Sequence, residues 1–188
     1  MKRFFIVVVL VAIAGGATVS HAQIEPQSSL VSTMVFYNYA QPKEGDETLK
    51  GAGLGLLWEQ VTWDRKMSIG FGAAYSQSWF DRASDQFSYQ RLPIYAMFKF
   101  LFGSPRYTGY IGAGLGASID RIEVTGDDGL EKRRTEAPFS VAVPLGVFIA
   151  PNPKVGFNFS VTWSWSDTQF LENGSFWAFG FGVVFIND

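Results

Sequence analysis

The chain has 188 residues, 47% of them hydrophobic, 17% charged and 16% aromatic, with 20 glycines, a balance that excludes disorder and suits one compact unit. Its formal charge of −2, more negative still once Lys2 and Arg3 are removed, leaves no electrostatic footprint for nucleic acid. The absence of cysteine excludes disulfide staples, thiolate nucleophiles and a lipid-modified N-terminal cysteine.

The first stretch, MKRFFIVVVLVAIAGGATVSHA (1–22), has a basic start, an apolar run from Phe4 to Ala14, and small residues Ser20 and Ala22 around His21. This pattern predicts a secretory signal peptide cleaved before Gln23, with 23–188 as a single domain. The apolar run is too short for a spanning helix, which needs ~20 residues.

Segments of strand character follow near 29–40, 52–63, 67–80, 87–102, 107–124, 138–150, 155–166 and 175–186. Longer polar connections (41–51, 81–86, 125–137, 167–174) alternate with tight turns (64–66, 103–106, 151–154). In an up-and-down meander, alternate connections emerge at the same end. One end therefore carries the polar loops, and the other the tight turns and both mature termini.

The faces of these strands are unusual. In VGFNFSVTWSWS (155–166), Val155, Phe157, Phe159, Val161, Trp163 and Trp165 alternate with Gly156, Asn158, Ser160, Thr162, Ser164 and Ser166. The segments at 67–80, 107–124 and 175–186 repeat the pattern, with Gly, Ala and Ser opposite large apolar residues. A soluble sheet would place charges on its less apolar face. The interior of an eight-stranded barrel is too narrow for dozens of large rings. Small residues inside and apolar ones against lipid fit the volumes, and a closed barrel is the only strand architecture that pairs every backbone group in hydrocarbon. The expected fold is all-β, an eight-stranded antiparallel up-and-down transmembrane β-barrel.

Trp and Tyr belong at the two membrane interfaces. Trp79, Trp163, Trp165 and Trp177, with Tyr37 and Tyr39, fall toward the loop end, and Trp58, Trp63, Tyr107 and Phe185 toward the turn end. Pro93 and Pro144 lie inside strands, where the missing N–H predicts bulges or kinks. The first strand lacks clean alternation, which leaves its facing open.

Four charged residues carry the inward phase. The spacing predicts lumen ion pairs between Glu59 and Lys99 and between Arg91 and Asp120, since buried charges persist only when paired. Glu59 is expected opposite Gly72, and Lys99 opposite Tyr110. These pairs read first as plugs and second as a gate in a narrow path.

An enzymatic role finds little support. The only histidine, His21, lies in the predicted signal, so the usual general base is lost on cleavage. Asp127 and Asp128 sit together on a loop without the fixed geometry of an acid–base pair. The DDG run lacks later calcium ligands. No cofactor and no metal is expected. In the loop TGDDGLEKRRTEA (125–137), the run Lys132, Arg133, Arg134 is a candidate contact for lipopolysaccharide phosphates, beside the simpler reading of a hydrated loop.

RLPIYAMFKF (91–100), YIGAGLGASI (110–119) and VAVPLGVFI (141–149) resemble segments of the small bacterial outer-membrane β-barrel family that includes the OmpX, Ail and OmpA transmembrane barrels. The resemblance implies insertion by the barrel assembly machinery with periplasmic chaperones. It also implies an outer-membrane location in lipid and lipopolysaccharide, with long loops extracellular and mature termini periplasmic. The family's last strand ends in an aromatic residue; here Phe185 has the outward phase and Ile186, Asn187 and Asp188 follow it. A monomer is expected. The leading functional expectation is a structural or surface-interaction barrel acting in envelope integrity, adhesion or binding. A narrow passive pore is the alternative, and a lipid-modifying enzyme comes last.

Overall fold

The computed structural model describes residues 24, 26–42, 48–62, 64–82, 85–104, 106–125 and 131–187. The predicted signal segment lies outside them. Among the described residues nine strands form: β1 (Ser29–Pro42), β2 (Leu49–Val61), β3 (Met67–Arg82), β4 (Asp85–Ser104), β5 (Tyr107–Thr125), β6 (Glu131–Glu136), β7 (Phe139–Ile149), β8 (Val155–Ser166) and β9 (Leu171–Asn187). All pairings are antiparallel, and β4 with β5 closes the sheet.

Strands β6 and β7 both pair with β5 in one register, from Asp120↔Glu136 to Ile111↔Leu145. Together they form the sixth wall strand, interrupted at Ala137 and Pro138, where the Ser118 N–H still donates to the Pro138 carbonyl at 3.0 Å. The barrel is thus eight-stranded. The segment read as a charged loop is in part a hairpin extending β5 beyond the wall.

Alternation decides the facing. Leu30, Ser32, Asn38 and Ala40 of β1 are buried, while Thr33, Val35, Tyr37 and Tyr39 are exposed, which settles the strand whose pattern was open. On β8, Gly156, Asn158, Ser160, Ser164 and Ser166 are buried and Phe159 is exposed. Gly70 shows why small residues face inward: a Cβ there would lie 1.9 Å from the Trp58 carbonyl oxygen. The oily face is outermost, as lipid requires.

Outward aromatics form two rungs across the wall. One runs Trp79, Lys50, Tyr39, Trp177, Trp163 through consecutive cross-strand pairs. The other runs Phe71, Trp58, Val31, Phe185. Between Val31 and Tyr39 the strand climbs about 27 Å at roughly 3.4 Å per residue. A tilt of about 40° reduces this to ~20 Å, close to the height of an outer-membrane apolar band.

The expected proline bulges do not occur. Register against β5 runs unbroken through Pro93↔Ser118. Against β3 it keeps the same offset on either side of Pro93, from Ala73↔Ile94 to Ser76↔Arg91, with pairing omitted between. Pro144 behaves alike: Ile111↔Leu145 and Gly114↔Ala142 share one register across the gap. Each proline removes a donor without inserting a residue, so residues 87–92 keep the same alternation of faces as the rest of β4. Strands also run further at the loop end than expected. Only residues 83–84 separate β3 from β4, and β9 begins at Leu171.

Candidate functional site

The lumen is closed at both ends. At the turn end an apolar cluster includes Leu30, Val61, Leu101, Tyr110, Phe148 and Ile186. Directly above it, Lys99 Nζ lies 2.8 Å from Glu59 Oε2, and Ser68 Oγ donates to Glu59 Oε1 at 2.9 Å. Lys99 also sits 4.4 Å from the Tyr110 ring centroid and 5.2 Å from that of Phe148. Tyr110 donates its hydroxyl to Asn158 Oδ1 at 2.8 Å. The rungs differ from expectation by two residues. Glu59 faces Gly70 across the ladder, not Gly72, and Lys99 faces Gly112, not Tyr110, which faces Leu101. A slip of two preserves the face, and the missing side chains of Gly70 and Gly112 leave room for the pair.

At the loop end, Arg91 and Asp120 are cross-strand partners. Arg91 Nε lies 3.6 Å from Asp120 Oδ1, an ion pair without a hydrogen bond, and neither atom has a hydrogen-bond partner among the described residues. The guanidinium instead donates to Ser164 Oγ at 3.1 Å, Ser140 Oγ at 3.3 Å and Tyr95 Oη at 3.3 Å, and lies 4.8 Å from the Phe176 centroid. Tyr89 donates to Asp120 Oδ2 at 2.7 Å. A second apolar cluster, Ala40, Leu49, Tyr89, Phe170, Leu171 and Phe176, closes this mouth. All four charged side chains are at most 1% exposed.

Of the plugging rings, Tyr110 has the inward phase expected of it, whereas Phe148 and Phe176 carry no such expectation. Phe148 shares the phase of Gly146 and Pro144, and Phe176 that of Ala178 and Gly180, so parity with small neighbours was the available signal. Between the two plugs lies a cavity of about 130 Å³. Among the described residues, no cluster of His, Cys, Asp and Glu could hold a metal ion.

The basic run lies on a strand, not a loop. Arg133 Nε bonds Glu123 Oε1 at 2.8 Å, and Glu123 also meets Arg121 at 2.6 Å. Arg134 meets Glu136 at 3.0 Å and donates to Gln169 Oε1 at 2.5 Å. Glu136 in turn accepts from Thr168 Oγ1 and the Gln169 N–H, which ties the β8–β9 connection to the hairpin. Lys132 is exposed. Asp127 and Asp128 lie outside the described residues.

Of the interface aromatics, Trp58, Trp79, Tyr107, Trp177 and Phe185 are exposed on the outer face, Trp163 and Trp165 are half-buried, and Trp63 lies outside the described residues.

Solved structures with this architecture include neisserial surface protein A, at 18% identity over 84% of this chain and 96% of that one, with a TM-score of 0.60. The attachment invasion locus protein Ail of Yersinia pestis matches at 14% identity over 86% of this chain and 99% of that one, TM-score 0.59. A major outer membrane protein of Thermus thermophilus matches at 8% identity over 84% and 99%, TM-score 0.61. No protein-family model matches the chain, and no curated protein does. At these identities the likeness is one of fold: a closed, eight-stranded antiparallel barrel of the outer-membrane type.

Proposed function

We propose that this chain is an integral protein of the bacterial outer membrane, inserted by the barrel assembly machinery, whose barrel is a filled anchor and whose role is structural and surface-interactive. The carrying observation is the closure of both lumen mouths by apolar clusters, each backed by buried charges that hold one another. A path lined this way offers ions no continuous water. The long-loop end is the extracellular side in this reading, and the mature termini are periplasmic. That end projects the β5–β6 hairpin, cross-braced by Glu123 and Glu136. A braced hairpin is a defined surface for adhesion or binding; Ail, with the same fold, is called an attachment invasion locus protein. Contact with lipopolysaccharide phosphates would have to draw Arg133 and Arg134 from their carboxylates, so it is subordinate to the hairpin's role as a whole.

Loss of histidine with the signal segment, and the lack of cysteine, support a non-enzymatic role. Conductance of the refolded barrel in planar bilayers tests the reading. Current at the bare-membrane level is expected, and steady ohmic steps would favour the narrow pore. Lipid A mass spectra unchanged by expression are expected as well; a modified species would restore the enzyme.

A further inference from the structure

The mid-lumen cavity lies between the two plugs just described and backs directly onto the lipid-facing surface. Its wall here follows the inward row Met34, Gly55, Ala74, in which β2 and β3 contribute little or no side chain. Outside the same wall lies a groove of about 640 Å³ floored by Leu54, Leu56, Ala73 and Tyr75, and Met34, Gly55 and Ala74 border both hollows. Next along the row stands Pro93. Its missing N–H coincides with the interruption of the β3–β4 ladder between Ala73↔Ile94 and Ser76↔Arg91. The ladder is therefore interrupted where the inner cavity and the outer groove meet, as it is also at Pro144 on the β5–β7 seam.

The cavity's chemistry selects its occupant. Met34, Phe36, Leu57, Met97 and Ala142 present carbon and sulfur, and the charge at its rim, Arg91, already has Asp120, Ser140, Ser164 and Tyr95. Ser76, Ser160, Thr162 and Ser164 also reach the lining, but most of the exposed wall is apolar, and an apolar cavity of about 150 Å³ takes up benzene or xenon. The 130 Å³ here is of that size. A Cβ on Gly55 would sit in ordinary van der Waals contact, 3.6 Å from Ala74 Cβ and 3.7 Å from the Phe36 ring, so a side chain grown from Gly55 enters the cavity without a clash at its first carbon.

We propose that the mid-lumen cavity is a binding site for small uncharged apolar molecules, entering from the bilayer through the β3–β4 seam at Pro93. The proposal rests on the lipid-embedded barrel but not on the surface role assigned to it.

The test uses the full barrel in lipid nanodiscs with methyl-labelled methionine and xenon as the probe. Saturable shifts are expected at Met34 and Met97, and only a linear, non-saturating shift at Met67, which starts β3 on its outer phase. Gly55→Leu fills the cavity and should abolish saturation at both methyls while the barrel keeps its folded spectrum. A Tyr75→Cys/Leu92→Cys pair spans the ladder gap on the outer face. Its oxidation should slow xenon exchange, and reduction should restore it. Linear shifts at Met34 and Met97 in the parent barrel, or saturation surviving Gly55→Leu, would overturn the site. Exchange indifferent to the oxidised pair would overturn the seam as the entrance. None of these results depends on conductance, so the site can fail while the filled-anchor reading stands.

Discussion

The two ends of the lumen solve one problem in different ways. At the turn end, a lysine and a glutamate meet directly at 2.8 Å, with one serine and two rings around them. At the loop end, the arginine stands 3.6 Å from its aspartate and spreads its hydrogen bonds over Ser140, Ser164 and Tyr95, while the aspartate takes its own from Tyr89. A compact ammonium is neutralised best by one close carboxylate, whereas a planar guanidinium can distribute its donors over several acceptors. The turn end concentrates its electrostatic stabilisation in one contact, and the loop end divides it among many.

The largest effect therefore belongs at the turn end. Lys99→Met keeps the length of the side chain and strands Glu59 with Ser68 alone, an uncompensated buried charge worth about 3–5 kcal/mol. Urea unfolding of the barrel in lipid vesicles should show that loss, and adding Glu59→Gln should recover most of it. Arg91→Met should cost less, toward the lower end of that range of about 3–5 kcal/mol, because the pair it breaks stands 3.6 Å apart without a hydrogen bond and the freed serine hydroxyls can bond one another, as Ser118 and Ser140 already do at 3.1 Å. Double-mutant cycles sharpen the contrast: the Glu59/Lys99 coupling should exceed the Arg91/Asp120 coupling. Equal couplings would erase the distinction between the two ends.

Facing was legible in the sequence to a degree that rung position was not. Parity alone assigns Glu59, Lys99, Arg91 and Asp120 to the inner face, since a strand's side chains repeat every second residue. The rung depends on where each hairpin turns, and at the β4–β5 turn the strands run to Ser104 and from Tyr107, with Gly103 at a φ of 99°. Turn conformation of this kind leaves little trace in composition, so the expected partner of Lys99 was displaced by two. β6 was hidden for another reason. EKRRTE has no apolar alternation, and it becomes a strand because β5 continues beyond the wall and offers it cross-strand opposites such as Glu123 for Arg133. The prolines misled because a missing donor and an inserted residue look alike in sequence, and only the ladder on both sides of Pro93 tells them apart.

The smallest effect tests whether the turn end is braced by hydrogen bonds outside the membrane as well. In the β2–β3 turn, Thr62 Oγ1 donates to Asp64 Oδ1 at 2.7 Å and the Lys66 N–H donates to the same oxygen at 3.0 Å. The Thr62 hydroxyl foremost, then the Lys66 amide, hold the Asp64 carboxyl below its ordinary value of 3.8. A carboxylate with a depressed folded-state value stabilises the fold fully above its unfolded value, and that contribution is lost as pH falls through the lower, folded one. The turn is thus indifferent to pH across the neutral range and loosens only in acid. Carbon-detected titration of Asp64 should give a midpoint below 3.8, and Thr62→Val should raise it toward that value while altering unfolding at neutral pH only by the loss of the hydroxyl's bonds to Asp64 and to the Met67 backbone. A midpoint unmoved by Thr62→Val would mean that the hydroxyl does not hold the Asp64 carboxylate, and would leave the Lys66 N–H as its brace in the turn.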